Sequence, residues 1–221
     1  MFGGVLGFLM TDIRLGPNRD ARLTRINDLL KEWYRANPAE NRLPPILSSN
    51  LTNNGWYDFT GQAIKAAATR CARGFFLHLC QLYFNRGTRS DALLLTLLTN
   101  LCEFYTILYS GDMFLPDASL DRLRTVTIAF GEAYQALRAH CAEQAILGFP
   151  VRPKMHRMQH LPRCARSINP VTLQCYAEES LVGTTTRVWK RSMAGRYEPG
   201  VQRVVLTKRM VGLLLRVQVG L

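Results

Sequence analysis

His156 and His160 stand four residues apart in the segment Lys154-Met155-His156-Arg157-Met158-Gln159-His160. On a helix that interval puts both imidazoles on one face, as metal ligands often are. Cys164 repeats the interval and Cys175 follows nearby. Two features oppose a metal here. The central glutamate of a zinc-protease helix is absent, and Lys154, Arg157 and Arg163 crowd the pair with positive charge. Histidines that pack, or that contact phosphate, suit the same spacing. Glu178 and Glu179 are the only acids between Glu143 and Glu198. At a helix N-terminus the dipole would stabilise them by about 0.3–1 kcal/mol. Amid so much positive charge, one of them could instead hold a divalent ion beside a phosphodiester. A third set is Arg187, Lys190, Arg191, Arg196 and Arg203, interleaved with Trp189 and Tyr197. Cations neutralise phosphates, and aromatic rings stack on bases. Trp189 suits a core position better, so the candidate backbone contacts are those five cations with Lys154 and Arg157. There is no Gly-rich phosphate loop, no GxSxG and no zinc finger, so nothing supports nucleotide hydrolysis or acyl transfer.

The elements that must carry these residues are mostly helical. Leu23, Ile26, Leu29, Leu30, Trp33 and Tyr34 share one face of a helix over 20–36, which Asn37-Pro38 stops. Residues 37–57, rich in Pro, Asn and Ser, form a long loop. A second helix is predicted from about Thr60 to Asn85, ended by Gly87. Ser90 would cap a third, to about Tyr109, and Asp117 or Ser119 a fourth, to about Leu147. The third is apolar on nearly every side and belongs in the centre of a core. Four long helices with short links predict a bundle over residues 1–149. After Gly148-Phe149-Pro150 comes a basic segment, Arg152–Arg166, with Pro153 and Pro162 limiting its helix. Val171, Leu173 and Cys175 alternate with polar residues, which predicts one short strand. Two basic helices follow, one from Glu178-Glu179 to Gly195 and one opened by Pro199. The expected organisation is a mainly α chain: a bundle at 1–149, then a basic segment at 150–221 with one strand and two helices.

Charge separates the same two parts. Residues 1–149 hold 15 Lys and Arg against 13 Asp and Glu, and residues 150–221 hold 13 against 3. The net charge of +12 therefore resides almost wholly in the last third. Such asymmetry favours a polyanion: DNA, RNA or an anionic membrane face. Contact with an acidic protein is the other reading. The six cysteines form no CxxC pair and fall mostly on apolar helical positions, which predicts reduced, buried thiols in a reducing, intracellular compartment. Met1–Met10 is apolar but lacks a basic leader and a small-residue cleavage site, so it reads poorly as a signal peptide. Ala92–Tyr109 is interrupted by Asn100 and Glu103, which predicts a core helix and no membrane partner. No convergent polar set suggests a small-molecule enzyme.

Three stretches resemble the C-terminal part of DDE-type transposases of the CACTA and related superfamilies. Ile64-Lys65-Ala66-Ala67-Ala68-Thr69-Arg70 is similar to a helix of the family's helical insertion. Arg152-Pro153-Lys154-Met155-His156, with His160-Leu161-Pro162, resembles a Lys-Pro-Lys-x-His…His-Leu element after it. Tyr176-Ala177-Glu178-Glu179-Ser180-Leu181-Val182-Gly183 is similar to the segment bearing the last acidic residue, with Glu179 at its position and Glu178 the alternative. The resemblance spans roughly residues 20–195. It implies DNA as partner, an RNase H-like core, and a divalent metal, Mg or Mn, held by two Asp and one Glu. It also implies a nuclear location for a transposon-derived eukaryotic protein. The chain departs from the pattern in one respect: no sheet-rich segment carries the first two Asp, and Asp12 and Asp20 sit in helical sequence. A lone Glu179 does not complete a metal site, so no strand transfer is expected from this chain by itself. Without that ancestry, the composition fits a non-enzymatic helical module that binds nucleic acid or an acidic protein by charge.

Overall fold

The structure is a computed structural model, and it describes residues 2–53, 56–57, 66–146, 148–151 and 153–173. The described residues are mainly helical. Seven α-helices run in order: α1 Phe2–Leu9, α2 Arg19–Ala36, α3 Ala66–Cys71, α4 Arg73–Tyr83, α5 Arg89–Ser110, α6 Asp117–Glu143 and α7 Pro153–Cys164. Extended pairing among them is confined to a two-residue ladder, β1 Thr52–Asn53 antiparallel to β2 Trp56–Tyr57. The chain divides into two compact units, Met1–Val171 and Thr172–Leu221. Apart from Thr172 and Leu173, the described residues belong to the first.

Local chemistry explains most of the boundaries. The Asn18 side chain accepts from Ala21 N and starts α2, and Asn37 ends it with its N–H on the Trp33 carbonyl. The loop that follows is tied back over α2. Asn27 exchanges both of its amide hydrogen bonds with Ile46, at 2.9 and 2.7 Å, and the Tyr34 hydroxyl accepts from Leu43 N at 3.0 Å. Of the helix predicted from Thr60 to Asn85, residues 60–65 lie outside the described residues, and the rest forms α3 and α4. Hydrogen bonds from Ala72 N to Ala68 O and from Phe76 N to Ala72 O carry it through the junction. Gly87, at φ +75°, makes the turn into α5. Two expected caps are corrected. Thr88, not Ser90, caps α5 by accepting from Asp91 N. Pro116 precedes α6 without a side-chain cap, and Asp117 is the acid of its first turn. Pro162 does not stop α7, which continues to Cys164.

Within the apolar start of the chain, Phe2–Leu9 forms α1, buried on nearly all sides. Its small residues allow close approach. A Cβ at Gly4 would lie 2.8 Å from the Phe149 ring. Phe2 stacks on Phe76 at 4.4 Å between ring centroids. Around these packs one large core with Ile26, Leu30, Leu79, Leu94, Leu97, Leu98, Phe130 and Leu137. A second, smaller core gathers Phe104 and Leu108 of α5, Leu123 and Val126 of α6, and Ala165 just beyond α7. Helix α5 has the length and composition of a membrane span, and in this fold it packs on α4 and α6.

The expected strand at Val171–Cys175 is not present over its described part. Pro170–Leu173 is a short 3-10 turn. Pro170 fixes one φ in the helical range, and Val171 N donates to the Asn169 side chain at 3.1 Å, closing the backbone locally. Alternating apolar residues did not outweigh this Asn-Pro turn chemistry.

The most buried charge in the described residues is Asp12, 3% exposed. Arg14 grips its carboxylate with two guanidinium nitrogens, and Arg86 adds a contact at 2.6 Å. Arg86 also donates its backbone N–H to Asp91, which joins the α4–α5 turn to the start of the chain. Burial alone would raise the Asp12 carboxyl. Hydrogen bonds from the Arg14 side chain and backbone, with the charges of Arg14 and Arg86, outweigh it and leave the group below its ordinary value. Its stabilising effect is therefore full above the unfolded-state pKa and fades as pH falls through the folded one. Asp12→Asn should lower stability by about 2–3 kcal/mol at neutral pH. That is less than the full cost of breaking a buried pair, because both guanidiniums keep access to water. Urea titration should show the difference from the native chain shrinking in acid. An equal deficit at all pH values would contradict this assignment.

Candidate functional site

Met155, Met158 and Leu161 lie along one side of α7 and pack on the bundle. Met155 meets the large core, to which α6 gives Phe130 to Cys141. Leu161 meets the small one, to which α6 gives Leu123 and Val126. Helix α7 therefore runs antiparallel to α6. Its far end is held by Asn169, fully buried. The Asn169 Nδ2 donates to the carbonyls of Leu108, Gly111 and Asp112 at 2.9, 3.2 and 3.0 Å, and its N–H donates to Met113 O at 2.8 Å. Leu108 lies in the last turn of α5 and Gly111 caps it, where carbonyls lack helical partners, and Asp112 and Met113 belong to the turn that follows. One side chain thus pins the chain beyond α7 to the α5–α6 turn.

With its apolar stripe docked, α7 turns its polar residues outward. Arg157, His160 and Cys164 fall on one exposed face, at intervals of three and four. Lys154 and His156 stand in the first turn of α7. His156 and His160 thus stand four residues apart on one helix. Among the described residues, no three His, Cys, Asp or Glu side chains come together as a metal site. Glu178, Glu179, Arg187, Lys190, Arg191, Arg196 and Arg203 lie outside the described residues.

Sequence reading missed a groove between α6 and α7, of about 470 Å³. Arg124, Arg163 and Arg166 line one end with Asp121. Gln135, Gln159 and Glu132 line the other, and Leu120, Ile128 and Pro162 give it apolar surface. None of Arg124, Arg157, Arg163 and Arg166 is paired with a carboxylate among the described residues. The acids that do form ion pairs are elsewhere: Asp12 with Arg14 and Arg86, Asp28 with Lys31, Glu103 with Arg122, and Glu143 facing His140. Four guanidiniums therefore remain available to an anion. The one sequence signal for the groove was Gly131, which replaces a side chain in the middle of a long helix and faces Gln159.

No family model, no curated protein and no solved structure matches this chain.

The thiols divide by environment. Cys80 and Cys141 are buried, and burial raises both, Cys141 to about 11. Cys164 is exposed. Iodoacetamide applied to the folded protein should label Cys164 and spare Cys80 and Cys141, as peptide mass mapping would show. Equal labelling of Cys141 would contradict the packing around α6. Asn169→Ala should destabilise the first unit by about 1–3 kcal/mol, since it leaves buried carbonyls unsatisfied. A denaturant midpoint unchanged from the native chain would show that Asn169 does not hold α7.

Proposed function

We propose that this chain binds nucleic acid through its basic side chains, both those exposed on and just after α7 and those of the Arg- and Lys-rich sequence of residues 174–221. The observation that carries this reading is the absence of carboxylate partners, among the described residues, for Arg157, Arg163 and Arg166. A cation held by a neighbouring acid offers little to a phosphate, whereas these guanidiniums are in no ion pair with a described carboxylate. Residues 150–221, with 13 basic and 3 acidic side chains, extend the same bias. Phosphate attraction of this kind is long-ranged and independent of sequence.

The resemblance to transposases makes DNA the favoured target. On that reading Glu179 is the one catalytic acid of the chain, and Lys154, Arg187, Lys190, Arg191, Arg196 and Arg203 join Arg157 in contacting the backbone. Binding without cleavage is the activity proposed, since one acid cannot hold the metal pair that the family uses. If an acidic protein is the partner instead, the same cations would face carboxylates.

Affinity for a short DNA duplex, measured over a range of salt concentrations, tests the reading. Log K should fall by about 0.9 for each phosphate contacted. Arg157→Ala should flatten that slope by about one contact and weaken binding uniformly across sequences. A chain that binds neither duplex nor single strand, or that binds duplex with no salt dependence, would remove the proposal.

A further inference from the structure

We infer that the groove between α6 and α7 seats one nucleotide of a single strand, with its phosphate at the arginine end and its base over the apolar middle. This deepens the nucleic-acid reading and rests on it. The groove is polarised along its length. Because α7 runs antiparallel to α6, Arg163 and Arg166 of the α7 end meet Arg124 near the start of α6. Gln159, earlier in α7, meets Gly131, where a Cβ would lie 3.6 Å from its Nε2. Helix α6 rises about 16 Å from Arg124 to Gln135, at 1.5 Å per residue. With side chains reaching inward from both ends, that length suits a phosphate at one end and a base edge at the other.

Each part of the groove has a matching part in the guest. Guanidiniums donate paired N–H groups to phosphate oxygens. Ile128, 51% exposed, gives the groove an apolar surface, and Pro162 also lines it. A base can rest on such a surface by its flat face. The amides of Gln135 and Gln159 donate to and accept from base edges, and Glu132 accepts from amino groups. The carboxylate of Glu132 also disfavours phosphate at its own end, which fixes the direction of the strand. Asp121 offsets part of the arginine charge, so the grip needs the base as well as the phosphate. In a duplex the bases are stacked and paired inside, and cannot enter a groove of this kind. The groove should therefore favour single strands, while the outer face of α7 serves either form.

Fluorescence anisotropy with the full chain separates these statements. The probes are a labelled single-stranded DNA 12-mer, the same sequence as a duplex, and inorganic phosphate as competitor. Gly131→Leu fills the groove without altering any charge, and Ile128→Ala removes its apolar floor. Both should weaken single-strand binding by about tenfold, the scale of losing one stacked base, and leave duplex binding within about twofold. Arg157→Ala should weaken both forms equally. Phosphate should compete with the single strand only poorly, because it lacks the base. Thermal melting checks that each variant folds, and Ile128→Ala, at an exposed position, carries the test should Gly131→Leu unfold. If the folded variants bind the single strand as the native chain does, the groove is not the site, although the nucleic-acid reading stands. If the native chain binds duplex but no single strand, the inference again fails alone. If it binds neither, both fail.

Discussion

The amide of Asn169 is the constraint on which the candidate site depends. Three carbonyls at the end of α5 need donors, and one buried side chain supplies them from beyond α7. That contact sets where the chain leaves α7. It thereby sets which side of α7 lies against α6 and which faces outward. Leu161 and Ala165 then fill the small core, and Arg163 and Arg166 are left at the mouth of the groove. The positions of the arginines follow from satisfying a turn, not from any direct contact of their own.

The distribution of carboxylates matters as much as that of the cations. Asp12 is committed to two arginines, one near it in sequence and one 74 residues away. Asp91 supports the same corner by accepting from the Arg86 backbone, and Glu103 holds Arg122 across α5 and α6. These acids brace the bundle internally. The charges of the first 149 residues nearly cancel in number, and several also cancel in space. Helix α7 carries no acid of its own, and among the described residues Arg157, Arg163 and Arg166 form no ion pair, although Asp121 of α6 lines the groove with the last two. The asymmetry visible in composition thus survives folding over the described part of the basic segment.

How much of this was legible in the sequence depends on the physics of each feature. The long helices α2, α5 and α6 were readable because period and burial agree over many turns. Caps were less so: Thr88 and Ser90 are both capping types two residues apart, and only the local turn chooses between them. Helix α1 was overlooked because a short, glycine-rich apolar run has no helical period to detect; Phe149 and Phe76 decide its fate from far along the chain. The strand at Val171 was misread because alternation over so few residues is a weak signal beside an Asn-Pro turn. On α7, the helix itself was readable from the sequence after Pro153, and Arg157 and His160 lie exposed on it. The groove was not, since Arg124 and Arg163 are remote in sequence and meet only through the antiparallel return of α7.

Pro162 sits inside α7 and forms part of one wall of the groove. It has no N–H to offer the carbonyl one turn back, so that stretch of helix lacks a bond most helices have. In exchange its ring is locked. A groove lined in part by a proline and a glycine has little rotamer freedom to surrender at those positions when something is placed against them. The middle of the groove is accordingly shaped in advance, and a guest there would order only the flexible arginines and glutamines at its two ends.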